Sequence, residues 1–360
     1  MVVGRLAPSP TGLLHVGNAR SLLLAWLSAR AVGGRIFLRI EDLLPGEDHV
    51  DALVADLRWL GLDWDEAPLL AGAWDPAWGA RSVRQSGRSG VYEGVLRAME
   101  RAGLAYPCVC TRKDIEAAAT APHAEDQGTP YPGLCRGAFD AEEDALAVEA
   151  SRAQAAGRAA LGVAWRLRVP DGVVTFEDRL RGARTVSLPH HSGDIVVRRK
   201  DGGFAYMLAA VVDDVAMGVT EVVRGDDLLD ATAQQLAVYG ALRDVAARRG
   251  GGGRRSQEDP ELEALWERAA TWEPPAWVHV PLVFGDDGRR LAKRNRSLHV
   301  AALREAGVQA ERLRLWLARS VGLDSPHLPE LVAAFDWRRV PREAVTFGAA
   351  ELATLARGAV

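Results

Sequence analysis

The pattern of apolar and polar positions predicts an alternating strand and helix order from the first residues. Val2 to Ala7 predicts a short strand. Pro8-Ser9-Pro10-Thr11-Gly12 must end it, because two prolines remove ladder donors and the glycine permits a turn. Leu22, Leu23, Trp26 and Leu27 then recur at helical spacing, with Ser21 and Ser28 on the far side, which predicts a helix over about Gly17 to Ala31. Gly33-Gly34 ends that helix, and Arg35 to Ile40 predicts a second strand closing on Glu41-Asp42. Strand, helix and strand make a βαβ unit, the building block of a parallel sheet.

Farther along, helices are expected over Asp51 to Leu60 and Gly90 to Ala102, with the polar, glycine-rich stretch Ala71 to Arg88 as a loop between them. Cys108 to Cys135 contains Pro122, Pro130 and Pro132 and cannot be one regular element. Residues 140–160 predict a solvated helix, followed by strands at Ala164 to Val169 and Val173 to Phe176. The α/β pattern then resumes with strands at Ile195 to Val197 and Val219 to Val223 and helices at Phe204 to Val212 and Leu228 to Leu242. Gly250 to Gly253, with polar flanks, predicts a flexible insertion, and Val278 to Phe284 a further strand. Leu313, Trp316, Leu317 and Val321 predict a helical tail, and no internal repeat is present.

The expected organisation is therefore an α/β chain built on a Rossmann-type parallel sheet. Residues 1–107 and 191–245 form its two halves, 108–190 an inserted subdomain, 246–275 a flexible insertion, and 276–360 a basic loop with a helical C-terminal part. Composition is ordinary for a folded protein: 48% apolar and 26% charged over 360 residues. A net charge of −4 excludes a global basic excess, so a nucleic-acid partner would need a local basic patch. No apolar run approaches a membrane span, and Met-Val-Val-Gly-Arg does not resemble an export signal, so a cytoplasmic protein without membrane association is expected. Only three of the 44 basic residues are lysine: Lys113, Lys200 and Lys293.

Three constellations could carry chemistry. His15, Gly17 and Asn18 follow the proline turn, at the end of a parallel strand and the start of a helix, where backbone N–H groups favour anions; His15 could donate to a phosphate there. Arg289 to Arg296 holds five basic residues after a glycine turn and could close over a leaving pyrophosphate; a solvated basic loop is the plainer alternative. Cys108-Val-Cys110 and Cys135 confine all three cysteines to 28 positions, a set too small for a disulfide framework and suited to tetrahedral Zn²⁺. The fourth ligand could be His123 or Tyr131.

Taken together, Pro8-Ser-Pro-Thr-Gly12, His15-Val-Gly17 and the Lys293 loop resemble the signatures of class I aminoacyl-tRNA synthetases, in particular the glutamyl and glutaminyl branch. The resemblance implies ATP, with Mg²⁺, as substrate and an aminoacyl adenylate as intermediate. It implies that His15 and Lys293 stabilise the charge that develops, with Gly17 and Asn18 also at the nucleotide, and that Arg5, Ala7, Ser9, Glu41, Tyr206 and Arg224 bind L-glutamate. Arg5 and Arg224 are expected to face carboxylates and Glu41 the ammonium group. Arg290 and Ala292 depart from the usual lysine and serine of the second signature, and Asn18 departs from the usual end of the first.

Cys108, Cys110, Tyr131-x-x-x-Cys135 and Ala210 also resemble a shortened branch of this family, and there the tyrosine is the fourth zinc ligand. That branch activates glutamate without RNA and transfers it to the queuosine base at the wobble position of tRNA(Asp). Only about 65 residues follow the basic loop, fewer than an anticodon-reading domain needs. The expected partners are L-glutamate, ATP and queuosine-bearing tRNA(Asp), with the enzyme a monomer. The rival readings are a truncated glutamyl-tRNA synthetase charging tRNA(Glu), a catalytically silent tRNA-binding paralogue, and a small-molecule adenylyltransferase.

Overall fold

The computed structural model describes residues 1–46, 48–67, 83–118, 129–249, 259–291 and 298–356. Its first strand, Val3–Leu6, lies parallel to Arg35–Ile40, with Val3 opposite Arg35 and Arg5 opposite Phe37. Val83–Arg84 adds a third parallel strand through Arg39 and Ile40. On the other side, Glu221–Gly225 lies parallel to Ala276–Val280, which places Arg224 directly opposite His279. The two strand groups meet where Thr220 N–H donates to the Val3 carbonyl at 2.9 Å, so residues far apart in sequence close one α/β layer. Val174–Asp178 extends the second group beside Ala276–Val280 and pairs antiparallel with Gly182–Val186.

The expected βαβ unit is present, its helix spanning Val16–Arg30. Ser28, expected on the outer face, is buried: its Oγ donates to Glu221 and accepts from Trp337 Nε1 at 2.9 Å. This helix is covered on one side by the sheet and on the other by C-terminal helices, whose Leu313, Leu317 and Val321 share its core. Arg20 ties the layers together, donating to the Pro281 carbonyl at 2.7 Å and to Ser320 Oγ and carbonyl at 3.1 Å.

Several elements differ from expectation for identifiable reasons. The strand expected over Val278 to Phe284 divides into Ala276–Val280 and Val283–Phe284, because Pro281 has no N–H to continue a ladder. Within the expected loop Ala71 to Arg88, residues 83–88 form a short strand and a 3₁₀ turn whose Gln85 and Arg88 are buried on Asp213; residues 71–82 lie outside the described residues. Within the expected insertion 246–275, the helix Ala231–Arg249 continues to its end and Pro260–Thr271 forms a helix burying Leu262, Leu265 and Trp266, while residues 250–258 lie outside the described residues. The helix expected to be solvated is Glu142–Ala155, and it buries Ala145, Glu149 and Ala153.

Ala105–Cys108, Ala164–Leu167 and Ile195–Arg198 form a separate antiparallel sheet, with Cys108 at a strand end and Cys110 and Cys135 in the segments beside it. Among the described residues, no helix is long and apolar enough to cross a membrane.

Candidate active site

Strand-end segments Ala7, Glu41, Gly225 and Leu282 converge on one cavity of about 440 Å³. Ligands of parallel α/β sheets bind beyond the carboxyl ends of strands, which is where these residues sit. Glu41 N–H donates to the Pro8 carbonyl at 3.0 Å, fixing the proline turn against the end of the second strand. Arg5, Ala7, Ser9, His15, Gly17, Asn18, Glu41, Tyr206 and Arg224 all line this cavity. Lys293 lies outside the described residues.

His15 caps the helix Val16–Arg30: its Nδ1 accepts Asn18 N–H at 3.2 Å. In the neutral ring that bond leaves the proton on Nε2, which can then act as donor. Gly17 leaves room beside it, because a Cβ at that position would lie 3.1 Å from the His15 ring and press it out of place. The His-x-Gly pattern is thus a packing solution that places an imidazole at a helix N-terminus.

The wall formed by the first two strands is a buried ion network. Arg39 donates to Asp214 at 2.5 Å and to Glu41 at 2.9 Å, and Arg5 Nε lies 3.7 Å from the same Asp214 oxygen. Tyr239 Oη donates to the other Asp214 oxygen at 3.0 Å. Burial opposes the charge on Arg39, but Asp214, Glu41 and Asp213 together hold its pKa well above the ordinary value. Burial pushes the Glu41 carboxyl up, against the pull of Arg39 and Arg5. Arg5 Nη1 donates to the Val223 carbonyl at 3.2 Å, bridging the two strand groups.

The opposite wall is organised around Arg224, whose surroundings are neutral. Its Nε donates to His279 Nε2 at 2.9 Å, Nη1 to Gln235 Oε1 at 2.8 Å and Tyr206 Oη at 3.3 Å, and Nη2 to Thr232 Oγ1 at 2.8 Å and the Leu228 carbonyl at 3.1 Å. The guanidinium also lies over the Trp277 ring at 5.0 Å. All five of its N–H groups have protein acceptors, and among the described residues no carboxylate forms an ion pair with it. Arg290, from the basic loop, pairs with Asp227 at 2.8 Å at the cavity rim.

A second cluster stands in the antiparallel sheet. The Sγ atoms of Cys108, Cys110 and Cys135 lie within 4.8 Å of one another, and Tyr131 Oη is 3.4 Å from Cys108 Sγ and 3.7 Å from Cys110 Sγ. Ligands about 2.3 Å from a tetrahedral Zn²⁺ stand about 3.8 Å apart, so this donor set fits a zinc ion. Arg166 donates to Cys108 Sγ at 3.4 Å and stacks 3.7 Å over the Tyr131 ring, a countercharge for an anionic ligand set. His123, the other candidate ligand, lies outside the described residues.

Sequence reasoning missed Arg39, Asp178, His279 and Arg166. Each is a polar residue on a strand; Arg39, Arg166 and His279 stand among apolar neighbours and Asp178 among charged ones, so none carries a local signal of its partner. Ala210, singled out for its neighbourhood, is buried in the helix Tyr206–Met217 and contributes its carbonyl to Arg39 at 3.3 Å.

Comparison with known proteins agrees with this geometry. The model of the catalytic domain of class I tRNA synthetases (E and Q) matches residues 1–248. The chain is 43% identical over 332 residues to the glutamyl-Q tRNA(Asp) synthetase of Nitratidesulfovibrio vulgaris, covering 91% of this chain and 89% of that one. It is 40% identical over 367 residues to the protein of the same name from Symbiobacterium thermophilum, covering 99% of each. A crystal structure of a glutamate tRNA ligase from Elizabethkingia meningosepticum superposes with a TM-score of 0.69 at 24% identity, over 98% of this chain and 68% of that one, a likeness of fold. The chain belongs to the class I tRNA synthetases of the glutamate and glutamine branch.

Proposed function

We propose that this protein activates L-glutamate with ATP, without RNA, and transfers the glutamyl group to the queuosine base at the wobble position of tRNA(Asp). The observation that carries this reading is the charge balance of the cavity. Arg5 and Arg39 are matched by Asp214 and Glu41, Arg290 by Asp227 and Arg199 by Asp201, whereas Arg224 has neutral partners. No carboxylate touches Arg224, Asp178 standing only behind the His279 ring, so its field stays open to the cavity, and glutamate carries one net negative charge at neutral pH. A glutamine side chain would leave that cation without a partner. The names of the two bacterial relatives, matched over nearly their whole lengths, support the queuosine-bearing tRNA as acceptor.

In this reading Glu41 meets the substrate ammonium group, Arg5 faces one carboxylate, and Arg224 acts on the other through Tyr206. Ala7 and Ser9 line the same subsite. An oxygen of the α-carboxylate attacks the α-phosphorus of ATP, taken as its magnesium complex; the new C–O–P link forms as the α–β bridge breaks and pyrophosphate leaves. His15 Nε2–H, the backbone at Gly17, the Asn18 side-chain amide and the Lys293 ammonium supply positive potential as charge develops. A hydroxyl of the queuosine ring then attacks the acyl carbon, AMP departs and an ester remains.

Cys108, Cys110, Tyr131 and Cys135 would hold a zinc ion as a structural clamp between the strand Ala105–Cys108 and the turn that follows Tyr131. Metal analysis checks this: the wild type should carry about one zinc per chain and Cys108→Ser none. A metal-free wild type refutes the clamp.

The test of function is ATP–pyrophosphate exchange with glutamate and no RNA, followed by transfer of labelled glutamate to tRNA(Asp) with and without queuosine. Exchange that requires tRNA(Glu) would instead identify an ordinary charging enzyme. Absence of exchange under both conditions would identify a non-catalytic binding protein.

A further inference from the structure

Behind Arg224, on the side away from the cavity, stands a pair of fully buried residues to which the proposed reaction assigns no role. His279 Nδ1 lies 2.7 Å from Asp178 Oδ2, and His279 Nε2 lies 2.9 Å from Arg224 Nε. Asp178 arrives from a strand 101 residues earlier in the chain. Its Oδ1 accepts the N–H groups of Leu180 and Arg181 at 3.0 and 2.8 Å, and its Oδ2 also accepts His279 N–H at 3.0 Å. A carboxylate accepting this many donors is ionised, so the imidazole must present a proton to it from Nδ1. Arg224 offers only donors, so Nε2 must present its lone pair. The partners thus dictate a single neutral tautomer. Thr232 Oγ1, 3.2 Å from Nε2, accepts from Arg224 at the same time and closes the ring of contacts.

We propose that Asp178 and His279 are positioning residues that set specificity for the substrate carboxylate. Asp178 locks the His279 tautomer, and Nε2 then holds the Arg224 guanidinium in the plane that directs Nη1 at Tyr206 Oη. With its oxygen accepting from the arginine, the Tyr206 hydroxyl is left to donate its proton to the ligand. The arginine charge thereby strengthens a donor aimed at a carboxylate oxygen, while the guanidinium, saturated by protein acceptors, cannot swing to meet a carboxamide. The inference rests on the glutamate reading of the cavity.

Three substitutions at His279 test it in ATP–pyrophosphate exchange. His279→Leu removes both ring nitrogens at similar volume. His279→Gln can return an acceptor to the Nε2 position, and His279→Asn can reach only the Nδ1 position. Losing the hydrogen bond to a buried cation should raise KM for glutamate about 10- to 100-fold in the Leu and Asn variants, leave KM for ATP within about twofold, and lower the preference for glutamate over glutamine. His279→Gln should recover most of the loss. A purely structural role would move both KM values together and would make Gln and Asn equivalent; either result, or an unchanged KM for glutamate, overturns the relay. Should His279→Leu fail to fold, the Gln and Asn pair carries the comparison alone. Wild-type exchange with a different amino acid overturns the glutamate reading and leaves the relay to be judged on KM for that amino acid. Exchange with none overturns both.

Discussion

The two walls of the cavity hold arginine in opposite ways. On the wall of the first two strands, Arg5 and Arg39 sit with Asp214 and Glu41, so that every formal charge is answered within the protein. On the wall of the later strands, Arg224 is held by an imidazole, a carboxamide, a hydroxyl, a phenol and a carbonyl, all neutral. A balanced network contributes rigidity and little net field, because a buried ion pair roughly offsets its own desolvation. A cation whose direct partners are neutral, with Asp178 only behind the His279 ring, keeps part of its field and presents it to whatever enters. The first wall presents Arg5 and Glu41 on a balanced scaffold, and the second adds the field that selects the ligand.

The largest expected effect comes from removing the unbalanced cation. Arg224→Gln should lower kcat/KM for glutamate in exchange by about a thousandfold, about 4 kcal/mol, with a smaller loss of folding stability, because the buried acceptors on His279, Gln235 and Thr232 lose a donor but no carboxylate in contact with it is stranded. Urea denaturation beside the kinetics checks both halves of that statement. Asp214→Asn should do the reverse. It leaves two buried guanidinium groups sharing one remaining carboxylate, so it should cost about 3 kcal/mol of stability, read as a lowered urea midpoint. If Asp214→Asn instead spared stability while lowering kcat/KM as far as Arg224→Gln, the division between balanced and selecting walls would collapse.

How much of this was legible in the sequence follows the same division. The proline turn and His15-x-Gly17 announce themselves because local backbone geometry demands them, and the residues named there do line the cavity. The cysteines were legible because three thiols within 28 positions have few other uses, and their Sγ atoms do converge. Arg224 was marked by its place at a strand end. What held it was hidden: His279 lies in the apolar strand Ala276–Val280, and Asp178 reaches it from another strand through a register that no local period encodes. Arg39 was invisible for a related reason, since a charged residue inside a strand reads as solvent-facing until its partner on the helix Tyr206–Met217 is seen. Proline at 281 was read as part of a strand because its neighbours are apolar, and only the split ladder exposes its effect.

A finer test of the balanced wall is Tyr239→Phe, which removes one hydroxyl from Asp214 and leaves both arginines in place. The ion pairs should survive, so the cost should be the net worth of one hydrogen bond, about 1 kcal/mol, with no change in KM for either substrate. A loss as large as that of Asp214→Asn would mean that the phenol, rather than the arginines, holds the carboxylate in place.

The smallest effect on the cavity belongs to Asp56, which is neither balanced like Asp214 nor caged like Arg224. It is buried in the helix Val50–Trp59 beside a single partly exposed arginine, Arg304, at 3.4 Å. Burial raises its pKa to about 7, with Arg304 pulling the other way. In the unfolded chain an aspartate titrates near 3.9, so between about pH 4 and pH 7 the folded state holds a proton that the unfolded state has lost. The stability from this group is therefore complete below about pH 4 and is lost as the pH rises through about 7. Asp56→Asn removes the titration, so the difference in melting temperature between variant and wild type should grow in favour of the variant from pH 5 to pH 8, by about 3–4 °C. A difference that stayed flat, or that turned against the variant at pH 8, would show that Arg304 balances Asp56 as fully as Arg39 balances Asp214. A half-exposed arginine would then suffice to neutralise a buried carboxylate, and the complete burial of Arg39 would need another reason.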